Sequence, residues 1–194
     1  MTRYRALLVV CLAATLVSLL PPHFSNWLIW RSDAPAVEIW RWLSAHFVHL
    51  SAGHLLLNLA ALITLAVLAE MLPAIARRPS QSWLAPAVLS LVVIDIGLAW
   101  GWFPIQWYAG LSGVLHGLFA WLALALVLGE RPPRLRLLAL ALYLGGLAKA
   151  IHDLQTPVGA VGWLGVPLAT PAHMLGYLGG TLWAFAVWGR DRWR

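Results

Sequence analysis

HLLLNLAALITLAVLAEML, residues 54–72, is an almost unbroken apolar run with a histidine and an asparagine at its head. It is close to the ~20 residues that a helix needs to cross the hydrocarbon core of a bilayer. Positions i and i+4 share one face of a helix, so His54 and Asn58 form a polar stripe on an apolar cylinder. Further apolar runs of helical length lie at about 5–20, 83–100, 112–129, 135–151 and 171–188. They are divided by Pro21, Pro22, Pro73, Pro79, Pro104, Pro132, Pro133, Pro157 and Pro167. With 61% hydrophobic and only 10% charged residues, against about 25% charged in soluble domains, the chain cannot bury its apolar surface in one water-soluble globule. The expected fold is an all-α membrane protein, a six-transmembrane-helix bundle forming one domain over residues 1–194.

The charges orient these runs. Arg3 and Arg5 precede the first, Arg77 and Arg78 join the second to the third, Arg131, Arg134 and Arg136 join the fourth to the fifth, and Arg190, Arg192 and Arg194 follow the sixth. By the positive-inside rule these segments, with the N- and C-termini, are expected to be cytoplasmic. The alternating segments differ: 21–53 carries Arg31, Asp33, Glu38 and Arg41, 101–111 no charge, and 152–170 only Asp153. Trp27, Trp30, Trp40, Trp42, Trp100, Trp102, Trp107 and Trp163 gather in or beside these outer segments, where amphipathic rings favour the headgroup level.

The net charge of +6 is therefore a topology signal and not a nucleic-acid footprint, and the bilayer is the expected surrounding. The N-terminal run has a charged start but no small-residue cleavage site before its prolines, so it is expected to stay as an uncleaved anchor. Cys11, the single cysteine, is read as packing filler. No phosphate-binding glycine loop, cysteine pair or H-E-x-x-H spacing is present, and neither a cofactor nor a metal is expected.

Polar side chains within apolar spans face a bundle interior or a wet cavity and are functional candidates by default. Here they are His54, Asn58, Asp95, Ser112, His116, Lys149 and His173. The second, fourth and sixth runs all enter from the outer side, so His54 and Asn58, Ser112, and His173 are expected at one depth near the outer surface. Together they supply a hydroxyl nucleophile, an imidazole able to take its proton and donors able to hold an oxyanion. Gly110 and Gly113 give the backbone beside Ser112 room for an approaching substrate, and a helix start adds free N–H groups and the positive end of its dipole.

Taken singly, each feature also has a plain structural reading. Gly113 with Gly117, and Gly176 with Gly180, are small-residue pairs that let helices pack backbone to backbone. A lone serine in a membrane helix usually bonds its own backbone. Both glycine seams flank the Ser112–His173 pair, so close packing would also hold that pair together. Asp95 and Lys149, toward the outer ends of their helices, are expected to be within reach of a buried ion pair.

WRWLSAHFVHLSAGHLLLNL at residues 40–59, GLSG at 110–113 and AHMLGYLGG at 172–180 resemble, in order and topology, the rhomboid intramembrane serine proteases. The resemblance implies Ser112 as nucleophile, His173 as general base, and His54, Asn58 and the Ser112 N–H as the oxyanion site. It implies a catalytic dyad with no carboxylate orienting the base, and Asp153 reads as an exposed loop acid. Trp40 and Arg41 match the family's first-loop signature and are given an anchoring role. The longer form GLSGVLHG, residues 110–117, is similar to the rhombosortases, a compact bacterial branch whose clients carry a C-terminal tail of a glycine-rich motif, a membrane helix and a basic end. His116 lies one turn below Ser112, where it serves as accessory support or as a local partner of the serine.

These readings converge on a serine endopeptidase acting near the periplasmic face of a bacterial inner membrane, on transmembrane protein substrates with extracytoplasmic domains. A general rhomboid protease and an inert rhomboid-like protein that binds transmembrane clients are the alternatives, and a small transporter is disfavoured because no broken helix or inverted repeat is evident.

Overall fold

The computed structural model describes residues 2–72, 82–156, 161, 165–167 and 169–192. Pro73, Arg77, Arg78, Pro79, Pro157, Trp163 and Arg194 lie outside the described residues, as do the side chains of Arg3 and Arg192. The protein is mainly helical. Long helices are α1 (Thr2–Ser18), α4 (Ala52–Met71), α5 (Leu84–Ala99), α6 (Ser112–Leu128), α7 (Pro133–Asp153) and α8 (Pro171–Arg192). Two short helices, α2 (Pro22–Leu28) and α3 (Trp40–Ser44), and a 3₁₀ turn at Ala45–Phe47 lie in the first long connection. Among the described residues, α4 and α7 are long and apolar enough to cross a membrane, and the apolar stretches of α1, α5 and α6 are shorter.

The sequence explains the helix starts. The side chain of Ser51 caps α4 by accepting the His54 N–H at 3.1 Å. Pro133 opens α7, at a position where a missing N–H costs nothing. Helix α7 runs to Asp153, two residues beyond its expected end, because no proline or glycine interrupts the chain between Leu147 and Thr156.

Helix α6 is the axis of the bundle. Gly113, Val114, Leu115, Gly117, Leu118, Ala120, Trp121, Leu122, Ala123 and Leu124 are all buried, so the helix is enclosed nearly all round. Its closest neighbour is α8. A Cβ built on Gly176 would fall on the carbonyl oxygen of Gly113, and one on Gly180 on that of Gly117. These glycines are there because two backbones touch. Helix α5 joins the same seam: a Cβ at Gly179 would stand 2.5 Å from the Cα of Ser90. Large side chains such as Leu8, Leu12, Leu16, Leu56, Ile63, Leu137 and Phe185 project from the outside of the bundle. The polar side chains His46, His49, His54, Asn58, Ser90 and His173 are buried within it.

The connections at the site end are built rather than loose. Strand β1 (Trp30–Arg31) pairs antiparallel with β2 (Trp107–Tyr108), Trp30 facing Tyr108 and Arg31 facing Trp107. The buried guanidinium of Arg41 pairs with Glu38 and donates to the carbonyls of Asn26 (2.8 Å) and Ile29 (2.6 Å). The indole of Trp40 donates to Trp27 at 3.0 Å and Ser44 Oγ to Leu28 at 2.8 Å. Trp40 and Arg41 thus tie α2 to α3. Trp27, Trp100 and Trp102 are exposed, but Trp30 is buried against Trp42.

Candidate active site

The first turns of α4, α6 and α8 and the last turn of α7 meet at one end of the bundle. Ser112 opens α6, His173 lies in the first turn of α8, and the α6–α8 glycine seam begins directly beneath both. Ser112 Oγ lies 3.1 Å from His173 Nε2. His173 is buried and Ser112 is half-buried, so the hydroxyl is the more accessible of the two groups. No side-chain cap takes up the N–H groups of the first turn of α6.

Asp153 is not an exposed loop acid. Its Oδ2 lies 2.6 Å from His173 Nδ1, with the side chain only 15% exposed, so the expectation that no carboxylate sits near the base is overturned. The reason is the extra length of α7, which carries the residue one turn past Lys149 and back over the start of α8. Lys149 Nζ donates to the same Asp153 oxygen at 2.6 Å and approaches His116 Nε2 at 3.2 Å. The expected Asp95–Lys149 pair is likewise corrected: Asp95 Oδ1 instead meets His46 Nε2 at 3.2 Å.

His116 does not bond the Ser112 hydroxyl. Its Nδ1 donates to the Ser112 backbone carbonyl at 2.7 Å, and its ring stacks on that of His173 with centroids 4.1 Å apart and planes 11° apart. A carbonyl only accepts and an ammonium only donates, so His116 is fixed with its proton on Nδ1 and a free lone pair toward Lys149.

Gly110 separates Ser112 from the polar stripe of α4. Its φ of 110° is one that side-chain-bearing residues rarely adopt, and a Cβ there would stand 2.9 Å from His54 Cε1, 3.0 Å from His54 Nε2 and 3.7 Å from Asn58 Nδ2. Both α4 side chains therefore face the segment leading into Ser112. Asn58 Nδ2 and His54 Nδ1 are buried with no hydrogen-bond partner among the described residues. Buried polar groups are normally satisfied, so a buried amide with nothing to donate to marks a place where an acceptor arrives.

Behind this wall lie residues the sequence reading did not single out. Tyr108 Oη donates to the Gly110 carbonyl at 2.7 Å and accepts from His46 Nδ1 at 3.1 Å. Burial pushes the Tyr108 hydroxyl well above the usual phenol range, keeping it a donor. The Gly110 N–H in turn bonds Ala45 at 2.9 Å. His49, in the turn before α4, donates through Nδ1 to Phe47 at 3.0 Å, and burial together with nearby His54 lowers its pKa to about 4. His46 and Tyr108 carried no sequence signal beyond being polar in an apolar neighbourhood, because the partners of His46, Tyr108 and Asp95, are 62 and 49 residues away from it.

Ligand atoms of His116, Asp153 and His173 lie within 4.8 Å of one another, a set chemically able to hold a divalent ion. The Lys149 ammonium already contacts two of the three, and its charge opposes a dication there. The cluster is thus better suited to proton and charge placement.

No family profile matches the chain. It is similar to curated proteins named Rhomboid protease GlpG. It is 32% identical over 165 residues to the one from Yersinia enterocolitica serotype O:8 / biotype 1B, a match covering 82% of this chain and 52% of that protein. It is 29% identical over 183 residues to those of Yersinia pestis (strain Pestoides F) and Yersinia pseudotuberculosis serotype O:3 (strain YPIII), covering 93% of this chain and 60% of theirs. The chain therefore spans about half to three-fifths of the length of the relatives it matches.

Proposed function

We infer that this chain is a rhomboid-type intramembrane serine endopeptidase, and from that premise the contacts of the site acquire an order of events. The observation that carries the reading is Ser112 Oγ 3.1 Å from the Nε2 of a buried histidine whose other nitrogen is already engaged. His173 takes the hydroxyl proton as Ser112 attacks the scissile carbonyl. The oxyanion that forms is met by Asn58 Nδ2, by the His54 imidazole and by the Ser112 N–H at the head of α6. His173 then passes the proton to the leaving amine, and water admitted from the outer end releases the acyl group by the reverse sequence.

The bundle is placed in a bacterial inner membrane with six spans, both termini cytoplasmic and Ser112 toward the periplasm. Arginine asymmetry and the tryptophans of the outer segments support this orientation. Its substrates are membrane-anchored proteins with extracytoplasmic domains. Within the superfamily the rhombosortase branch fits best, because the distinguishing His116 is stacked on the base rather than turned to lipid. The favoured client carries a glycine-rich stretch before a C-terminal helix with a basic end. Glycine readily leaves helical geometry and so enters the site extended.

A fluorophosphonate probe on detergent-solubilised protein tests the chemistry: labelling is expected in the wild type and lost in Ser112→Ala and His173→Ala. Two co-expressed reporters test the branch, one with a glycine-rich C-terminal tail and one with an ordinary N-terminal signal anchor. Ser112-dependent cutting of the second alone would make the chain a general rhomboid protease, and labelling that survives both substitutions would remove the protease reading itself.

A further inference from the structure

Four side chains, those of His116, Lys149, Asp153 and His173, form with Ser112 a ring of hydrogen bonds that begins and ends on that serine. The Ser112 carbonyl accepts from His116, His116 Nε2 from Lys149, Asp153 from Lys149 and His173, and His173 Nε2 faces Ser112 Oγ. Chemistry fixes the direction of every bond. A carbonyl and a carboxylate only accept, and an ammonium only donates, so both imidazoles must carry their proton on Nδ1. His173 is thereby left with its lone pair on Nε2, the tautomer that proton abstraction from Ser112 requires.

Resting on the protease reading above, we propose that Asp153 is a positioning residue for the His173 base, turning the expected dyad into a carboxylate–histidine–serine series, and that Lys149 holds that carboxylate in place. Asp153 stays ionised throughout. The proton of Ser112 goes to His173 Nε2 and from there to the leaving amine, while the carboxylate steadies the imidazolium that exists between the two transfers. Lys149 and Asp153 are one turn apart on α7, a spacing that brings their side chains together. Both Lys149 and His173 address the same oxygen, Oδ2. Lys149 therefore decides which atom of residue 153 faces the base.

That last point gives a test no packing role would satisfy. In Asp153→Asn the amide must keep its oxygen toward Lys149, and hence toward His173 Nδ1–H, so the tautomer survives and the loss in turnover is modest, about 10-fold. With Lys149→Met added, the amide is free to turn its NH₂ toward Nδ1, which moves the imidazole proton to Nε2. The loss should then approach the about 10⁴-fold seen when a triad carboxylate is replaced by its amide. Lys149→Met alone should cost much less, so the double variant falls well below the product of the singles. Asp153→Ala should lower kcat about 10²- to 10⁴-fold with KM nearly unchanged, and Asp153→Glu should restore part of it.

The measurements are cleavage of a transmembrane reporter in detergent and the rate of fluorophosphonate labelling, each corrected for the fraction that melts cooperatively. Asp153→Ala retaining wild-type kcat overturns the proposal. Should that variant not fold, equal losses from Asp153→Asn with and without Lys149 overturn it instead. Ser112→Ala and His173→Ala separate the two levels: activity surviving in them removes the protease reading, whereas activity lost in them but kept in Asp153→Ala removes only the role of Asp153.

Discussion

Asn58 offers the sharpest separation of function from stability at the level of single residues. Its Nδ2 donates to nothing among the described residues, so Asn58→Ala removes no hydrogen bond from that nitrogen. Turnover should fall about 10²- to 10³-fold, the usual cost of one oxyanion donor. The melting temperature should stay level or rise, since a buried unsatisfied group is unfavourable. Comparable loss of both would assign Asn58 to the scaffold. His116 differs, because it is bonded on both sides and stacked on the base. His116→Phe keeps a ring against His173 and should retain more activity than His116→Ala, with neither matching the loss in His173→Ala. If His116→Ala were the most damaging of the three, the local pair would be the working one. Ser112, His173, His54 and Asn58 were legible because each heads an apolar run, and topology alone aligns such heads. Asp153 was not, because the apolar run ends at 151 and the acid follows it, where composition alone places a connection. The Lys149–Asp153 spacing was the available signal, readable only on the premise that α7 continues.

At the level of elements, the helices were legible from apolar length and proline punctuation, and their close approach from paired glycines. The glycines are not equivalent, however, and sequence could not rank them. Gly145 has no heavy atom within 4 Å of where a Cβ would stand, whereas its neighbour Gly146 would put one 2.5 Å from the Phe119 ring. Gly145→Ala should therefore stabilise α7 by about 0.5–1 kcal/mol through helix propensity alone. Gly180→Ala would meet the Gly117 carbonyl, backbone that cannot swing aside, and should cost at least the about 1–3 kcal/mol of ordinary overpacking. Denaturation in mixed micelles measures both. A neutral Gly180→Ala would mean that α6 and α8 lie farther apart than described.

For the molecule as a whole, the site end is a pinned platform. Arg41 is the pin: it satisfies two carbonyls and Glu38 at once. Arg41→Ala leaves the part-buried Glu38 and two carbonyls without their donor, a loss that should cost about 1–3 kcal/mol. The expected result is rapid proteolytic nicking within 21–51 while the long helices remain protected. The same platform carries a pH dependence. Burial, reinforced by nearby His54, lowers the His49 pKa in the folded chain to about 4, below the ordinary 6.5. The unfolded chain therefore binds the extra proton between those values, and stability falls as pH drops through that window, by at most about 1.4 kcal/mol per unit. Above it the contribution is constant. His49→Gln should flatten the slope in an acid denaturation series.

The backbone contacts that join α6 to α8 and α8 to α5 also govern traffic. Where carbonyl oxygens and Cα atoms of facing helices nearly touch, there is no width for a third helix, and parting them would strip away the packing that holds Ser112 against His173. On the proposed orientation, a client cannot slip sideways through either seam without first switching the enzyme off. Its scissile segment must come over the outer rim or past some other helix pair, so the joints that assemble the site also act as its closed doors.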